Sequence, residues 1–244
     1  MTTHRADAST FLDNRGYSGP LIRGVNPATL FEKPVRDRIT DSYYWKEQCF
    51  GLNAATLCDR AVELTCIGGV YGVAEKPSPF LCLAFKLLQL NPGREVVLEY
   101  LNFTDEEPDS DDEGDREVDT DARVLKTKGS FKYLRALAAF YVRLTFEPVE
   151  VYKTLEPLLL DYRKLKRRVR DSFTLTYMDQ FVDELLTKER VCGTSLWKLP
   201  ARQQLEDLDL LEVRVSPLQE ELEEMERSDR EDDEDDDGGR EGDD

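Results

Sequence analysis

KYLRALAAFYVRLT, residues Lys132 to Thr145, is the stretch whose reading decides the fold. With Phe131 just before it, Leu134, Leu137, Tyr141 and Leu144 recur at helical spacing, and Tyr133, Ala136, Ala138, Ala139 and Phe140 make most of the remaining circumference apolar. The pattern predicts a helix packed on several sides. Burial of its large apolar residues is worth roughly 2 kcal/mol each before chain entropy is subtracted. The charged residues Lys132, Arg135 and Arg143 share one narrow stripe at about 3.6 residues per turn, so one edge is expected to face water or a partner.

Outward from this helix the apolar spacing stays helical almost everywhere. Upstream, Asn26-Pro27 reads as an N-cap with proline at the first helical position, opening a helix through Leu30, Phe31 and Val35 that Pro34 should kink or shorten. Two helices follow between Ser42 and Ile67, broken near Gly51. GGVYG (Gly68 to Gly72) reads as a turn, since a helix is expected before it and neither phosphate-loop fingerprint is present. Ser78-Pro79 repeats the cap logic and opens PFLCLAFKLLQL, apolar nearly all round. A short amphipathic helix, REVVLEYLNF, comes next.

Downstream, Tyr152, Leu155, Leu159, Tyr162 and Val169 form a near-heptad stripe that predicts a long helix bent at Pro157, its C-terminal end carrying the basic run 163–170. Thr176 and Asp179 resemble a capping box for the helix YMDQFVDELLTKER. A last helical stretch near Ala201 to Leu211 runs to Pro217. The expected fold class is therefore all-α: antiparallel helix pairs packed around a central buried helix.

Charge divides the chain differently. The formal total is −18, yet residues 104–122 hold eleven acids and one base and residues 219–244 hold sixteen acids and three bases, leaving the remainder mildly basic. Segments of that composition cannot bury a core, so a disordered acidic insertion (about 104–127) and a disordered acidic tail (218–244) are expected. With residues 1–25 read as a mobile N-terminus, the boundaries leave one helical domain over 26–217, of ordinary size for a single core. Ser110 in DSDDE and Ser228 in RSDRE are candidate phosphorylation sites, each followed by acids. Such segments would either fold back on the basic run or serve only solubility.

Five cysteines without a CxxC pair read as reduced thiols of an intracellular protein, and the polar opening MTTHRADAST reads as no signal peptide. No apolar run approaches the roughly 18 residues of a membrane span.

The motifs YLRALAAFYVRLT, YKTLEPLLLDYRKLKRR, YWKEQCFGL, GGVYG, KPSPFLCLAFKLLQLNP and VDELLTKERVC, collinear between about Asn26 and Pro217, resemble the pre-mRNA-splicing factor 38 family. The resemblance implies an all-helical, non-catalytic subunit of the spliceosome, nuclear, joining around the tri-snRNP before activation and holding helical segments of other splicing factors. The partners it implies are of the microfibrillar-associated-protein and zinc-finger types. It implies no cofactor, no membrane and no small-molecule substrate. The acidic insertion is not part of the family pattern, so its role is not carried over.

Candidate chemistry is sparse. The sole histidine, His4, lies in the N-terminal stretch, which removes the commonest general base and metal ligand from the expected core. Asp179, Asp183 and Glu184 share part of a helix, but helix-end and Glu184–Lys188 pairing accounts for them more simply than acid–base work. Catalytic and metal residues are therefore both read as none.

The candidate partner-binding residues are Arg163, Lys164, Lys166, Arg167 and Arg168, with Tyr44, Trp45 and Lys46. The basic run is either a solvated helix end or a grip for an acidic partner or RNA, and replacing Arg163, Lys164, Arg167 and Arg168 by Glu is expected to leave the fold intact. The alternative to a scaffold is a direct RNA-binding helical module using 163–170, although no RNP, KH or zinc-knuckle pattern is present.

Overall fold

The computed structural model describes residues 11–12, 17–103, 131–215 and 219. The acidic insertion, Ser110, Ser228 and nearly all of the acidic tail lie outside the described residues. Contacts group the chain into two units, residues 1–200 and 201–244.

In the first unit a 3-10 turn, Pro27–Leu30, is capped by Asn26, whose Oδ1 accepts from Ala28 N at 2.9 Å. Helix α1 then spans Lys33–Asp41. Pro34 does not kink a running helix: it sits in the first turn of α1, where a missing N–H leaves no bond unmade. A π-helical turn, Tyr44–Gln48, leads to α2, Ala54–Val62, which begins with a reciprocal Asn53–Thr56 capping box. Helices α3 (Pro79–Leu90), α4 (Arg94–Asn102), α5 (Lys132–Thr145) and α6 (Pro148–Leu155) follow.

Helices α3 and α5 are the core. Ser78 caps α3 by accepting from Leu81 N, and nearly every side chain of α3 is buried. α5 is buried from Leu134 to Leu144 and packs against α2, α3, α4 and α6. Aromatic rings stitch the interface: Phe31 lies 5.4 Å from Phe85, and Phe80 lies 5.8 Å from Phe140 and 6.3 Å from Phe181. Within the stretch read as a mobile N-terminus, Phe11 and Ile22 are buried, and Arg23 donates to the carbonyls of Leu144 and Phe146.

The fold class is not all-α. Among the described residues there are three small sheets beside the helices, so the fold is mixed α/β, helix-rich. Strand β1 (Ile67–Gly68) runs parallel to β4 (Lys164–Arg168), and β4 pairs antiparallel with β5 (Phe173–Tyr177). Strands β2 (Val70–Tyr71) and β3 (Lys76–Pro77) form a hairpin, as do β6 (Arg190–Val191) and β7 (Thr194–Ser195).

The long helix expected to carry Tyr152 through Val169 stops at Leu155. Pro157 has no N–H to give and crowds the preceding turn, so the chain continues as a 3-10 turn, Glu156–Leu160, and then enters β4. Thr176 makes no capping box either. It lies in β5, and α7 (Met178–Thr187) starts at Tyr177 without a side-chain cap.

The first two glycines of GGVYG are required by close backbone approach. A Cβ on Gly69 would fall 2.3 Å from the Cys192 carbonyl oxygen, and one on Gly68, at φ 152°, 2.8 Å from that of Arg168. In the second unit α8 spans Arg202–Asp207. No helix among the described residues is long and apolar enough to cross a membrane.

Candidate partner-binding surface

The basic run is carried by a β-hairpin, not by a helix end. VRDS (Val169 to Ser172) closes the turn, with Val169 N donating to Ser172 O at 3.1 Å. Thr, Phe and Tyr in FTLTY favour the pleated conformation on its return strand. Because side chains alternate along a strand, the five basic candidates divide into two sets.

Arg163 and Arg167 are held by acids. Arg163 donates to Asp161 through Nε (2.8 Å) and Nη2 (2.6 Å), and Arg167 chelates Glu184 at 3.0 and 2.6 Å. Asp161 also receives Arg135 Nη1 at 2.9 Å. Burial pushes the Asp161 carboxyl upward, but the hydrogen bonds and charges of Arg163 and Arg135 outweigh it and hold it below the usual range. Glu184 is likewise lowered: burial opposes the shift, while Arg167 and Lys188 impose it.

Lys164, Lys166 and Arg168 form the other set, opposite Tyr177, Leu175 and Phe173 in register. Lys166 Nζ lies 4.0 Å from the Phe173 ring centroid, and the Arg168 guanidinium lies 4.4 Å from both Phe173 and Tyr71. Leu175 is 62% exposed, so this face alternates cations with exposed apolar groups.

Of the charged stripe on α5, Lys132 is partly exposed but the two arginines do not reach water. Arg135 and Arg143 are each 2% exposed. Arg135 Nε donates to the Leu101 carbonyl, and Arg143 donates to the carbonyls of Leu185 and Trp197, each at 2.7 Å. The Trp197 indole answers by donating to Arg143 O at 2.9 Å, and the Arg23 and Arg143 guanidinium groups lie 3.4 and 4.7 Å from its ring centroid. Burial lowers the Arg143 guanidinium to about 10, and it stays charged at neutral pH.

The second candidate patch lies on the π-helical turn. Trp45 packs 5.3 Å from Phe85 with Lys86 over its ring, Tyr44 is half-buried, and Lys46 and Tyr43 are exposed. This turn packs on α1 and α3, whereas the hairpin packs on β1 and α7, so the two patches rest on different elements.

Glu184 accepts from Lys188 at 2.9 Å as well as from Arg167, so the carboxylates of α7 include a structural acid. Among the described residues no group of three or more His, Cys, Asp or Glu is placed to hold a metal. Cys49 and Cys82 are buried free thiols, each pushed up to about 12 by burial.

Sequence reasoning missed Asp161, Phe173, Leu175 and Tyr71; it paired Glu184 with Lys188, as found, but missed its second partner, Arg167. For the hairpin the signal was present, in the alternation of FTLTY after a turn-forming RDS. For Asp161 it lay only in its spacing two residues before Arg163.

Fold and surface together define a helix-rich α/β domain that presents a basic hairpin. The chain belongs to the PRP38 family, whose model matches residues 21–209. It is 50% identical over 194 residues to pre-mRNA-splicing factor 38 of Schizosaccharomyces pombe, covering 80% of each chain. It is 44% identical to pre-mRNA-splicing factor 38A of Danio rerio, covering 82% of this chain and 56% of that one. A chain of the crystal structure of the Snu23-Prp38-MFAP1(217-258) complex of Chaetomium thermophilum superposes with a TM-score of 0.71 at 55% identity, over 86% of this chain and 99% of that one.

Proposed function

We propose that this chain is a non-catalytic scaffold subunit of the spliceosome, required for pre-mRNA splicing, that binds helical segments of other splicing factors before activation in the nucleus. The observation that carries the reading is the 55% identity to a chain whose structure is of a Snu23-Prp38-MFAP1(217-258) complex. The partners we assign are accordingly of the MFAP1 type and of the Snu23, zinc-finger type. Residues 26–217 are the unit to which we assign this role, with the acidic segments as appendages.

The hairpin and the π-helical turn are the surfaces we assign to partners. Lys164, Lys166, Tyr43 and Lys46 are exposed there, and complementary charge steers encounter while aromatic anchors hold it. The rival reading, direct RNA binding through 163–170, is weakened by the engagement of Arg163 and Arg167 with Asp161 and Glu184.

Pull-down of the full chain from nuclear extract, with and without nuclease, separates the two. A scaffold retains its splicing-factor partners after nuclease treatment. Loss of every partner on digestion would favour the RNA reading.

A further inference from the structure

Strand β5 is the outer strand of its sheet, and among the described residues no strand pairs with its far edge. The direction of its backbone groups follows from the register. Val169 N donates to Ser172 O and Met178 N to Arg163 O, at 3.1 and 3.0 Å. In an antiparallel pair only alternate residues exchange both bonds, so Thr174 and Thr176 turn theirs toward Arg167 and Leu165 on β4. The N–H and C=O of Phe173 and Leu175, with the N–H of Tyr177, therefore point outward.

Proteins usually blunt such an edge with lysine, proline or a bulge. FTLTY has no charge and no proline, and it pairs with β4 residue for residue. On the face of Phe173, Leu175 and Tyr177 its exposed side chains are apolar, Leu175 at 62% and Phe173 at 42%, and the row behind them on β4 is Lys164, Lys166 and Arg168; Thr174, also exposed, lies on the opposite face.

We propose that the β5 edge is a docking site for an extended, acidic segment of a partner protein, which adds to the sheet as a further strand. Backbone bonds to Phe173, Leu175 and Tyr177 supply its register. Apolar side chains of the incoming strand cover Leu175 and Phe173, and acidic ones meet the long cations of β4. This mode is distinct from the helix binding proposed above and does not rest on it.

Two other occupants fit less well. RNA would need a free aromatic face, but the Phe173 ring already carries Lys166 and Arg168 at 4.0 and 4.4 Å. A second copy of this chain would lay β5 against β5, with the cations of β4 leaning over Phe173 on each side and no acid on either strand to offset them.

The test uses the full chain and a synthetic ten-residue peptide, Val-Thr-Glu-Thr-Val-Thr-Glu-Thr-Val-Thr, which sets valine and glutamate in turn on the one face that meets Phe173, Leu175 and the β4 cations. A second peptide has the same glutamates but prolines in place of alternate valines. Binding is followed by titration and by residue-resolved amide exchange. The proposal expects the first peptide to bind and to slow exchange at Phe173, Leu175 and Tyr177 at least about tenfold, with Thr174 and Thr176 unchanged.

Leu175→Pro removes one outward donor without breaking a bond to β4 and should weaken binding about tenfold, whereas Leu175→Thr should change it less than about threefold. Where Leu175→Pro unsettles the hairpin, Lys164→Glu with Lys166→Glu carries the test, again with about tenfold loss. No binding of the first peptide would overturn the proposal, as would equal binding of the proline peptide. Tighter binding of polyuridine than of peptide at the same salt, or dimerisation through the edge by sedimentation, would replace the occupant and overturn it equally.

Discussion

Arg135 and Asp161 face each other at 2% and 4% exposure, in a setting where an ion pair adds little net stability but is expensive to break. Asp161→Asn would leave the Arg135 charge buried and poorly matched, and should lower unfolding free energy by about 3–5 kcal/mol, read from urea denaturation. The same carboxylate sets an acid limit. Its folded pKa lies below the ordinary value, so its contribution is full above about pH 4 and is lost as pH falls through the folded value. Acid titration of the wild type should therefore show a steep loss of stability below about pH 4, shallower in Asp161→Asn. The helical stripe of Arg135 and Arg143 was legible in the sequence. Its burial was not, because the groups that satisfy it come from Leu101, Asp161, Leu185 and Trp197, distant in the chain.

Helices α3 and α5 could be read from apolar spacing, and the caps of α3 at Ser78 and of the Pro27–Leu30 turn at Asn26 from residue type alone. The hairpin could not be read that way. A leucine and tyrosine pattern at heptad spacing runs through Pro157 into β4, past the point where proline stops the helix. The consequence reaches the charge-reversal experiment. Reversing all four of Arg163, Lys164, Arg167 and Arg168 would set two glutamates against Asp161 and Glu184, so the fold would not remain indifferent to it. The element predicts a split instead. Arg167→Glu should destabilise by about 2 kcal/mol through loss of a charged, half-buried hydrogen-bond pair. Lys164→Glu with Lys166→Glu should stay within about 0.5 kcal/mol of wild type, as surface changes do. Thermal unfolding of the three proteins measures the difference.

On the scale of the whole chain, one apolar core and two strongly acidic segments divide the work. Leu137 is fully buried on α5, and Leu137→Asp should abolish cooperative unfolding, seen as loss of the thermal transition. Removing residues 104–122 and 219–244 should leave the melting temperature unchanged, because those segments hold almost no large apolar side chain to bury. A drop of several degrees would mean that they contribute packing. The proposed function requires that this member of the PRP38 family hold segments of other splicing proteins. Calorimetric titration of the full chain with the MFAP1 217–258 segment tests it most directly. Holding through apolar anchors should give saturable one-to-one binding that changes little between low and moderate salt. Absence of binding, or affinity that collapses steeply with salt, would contradict it.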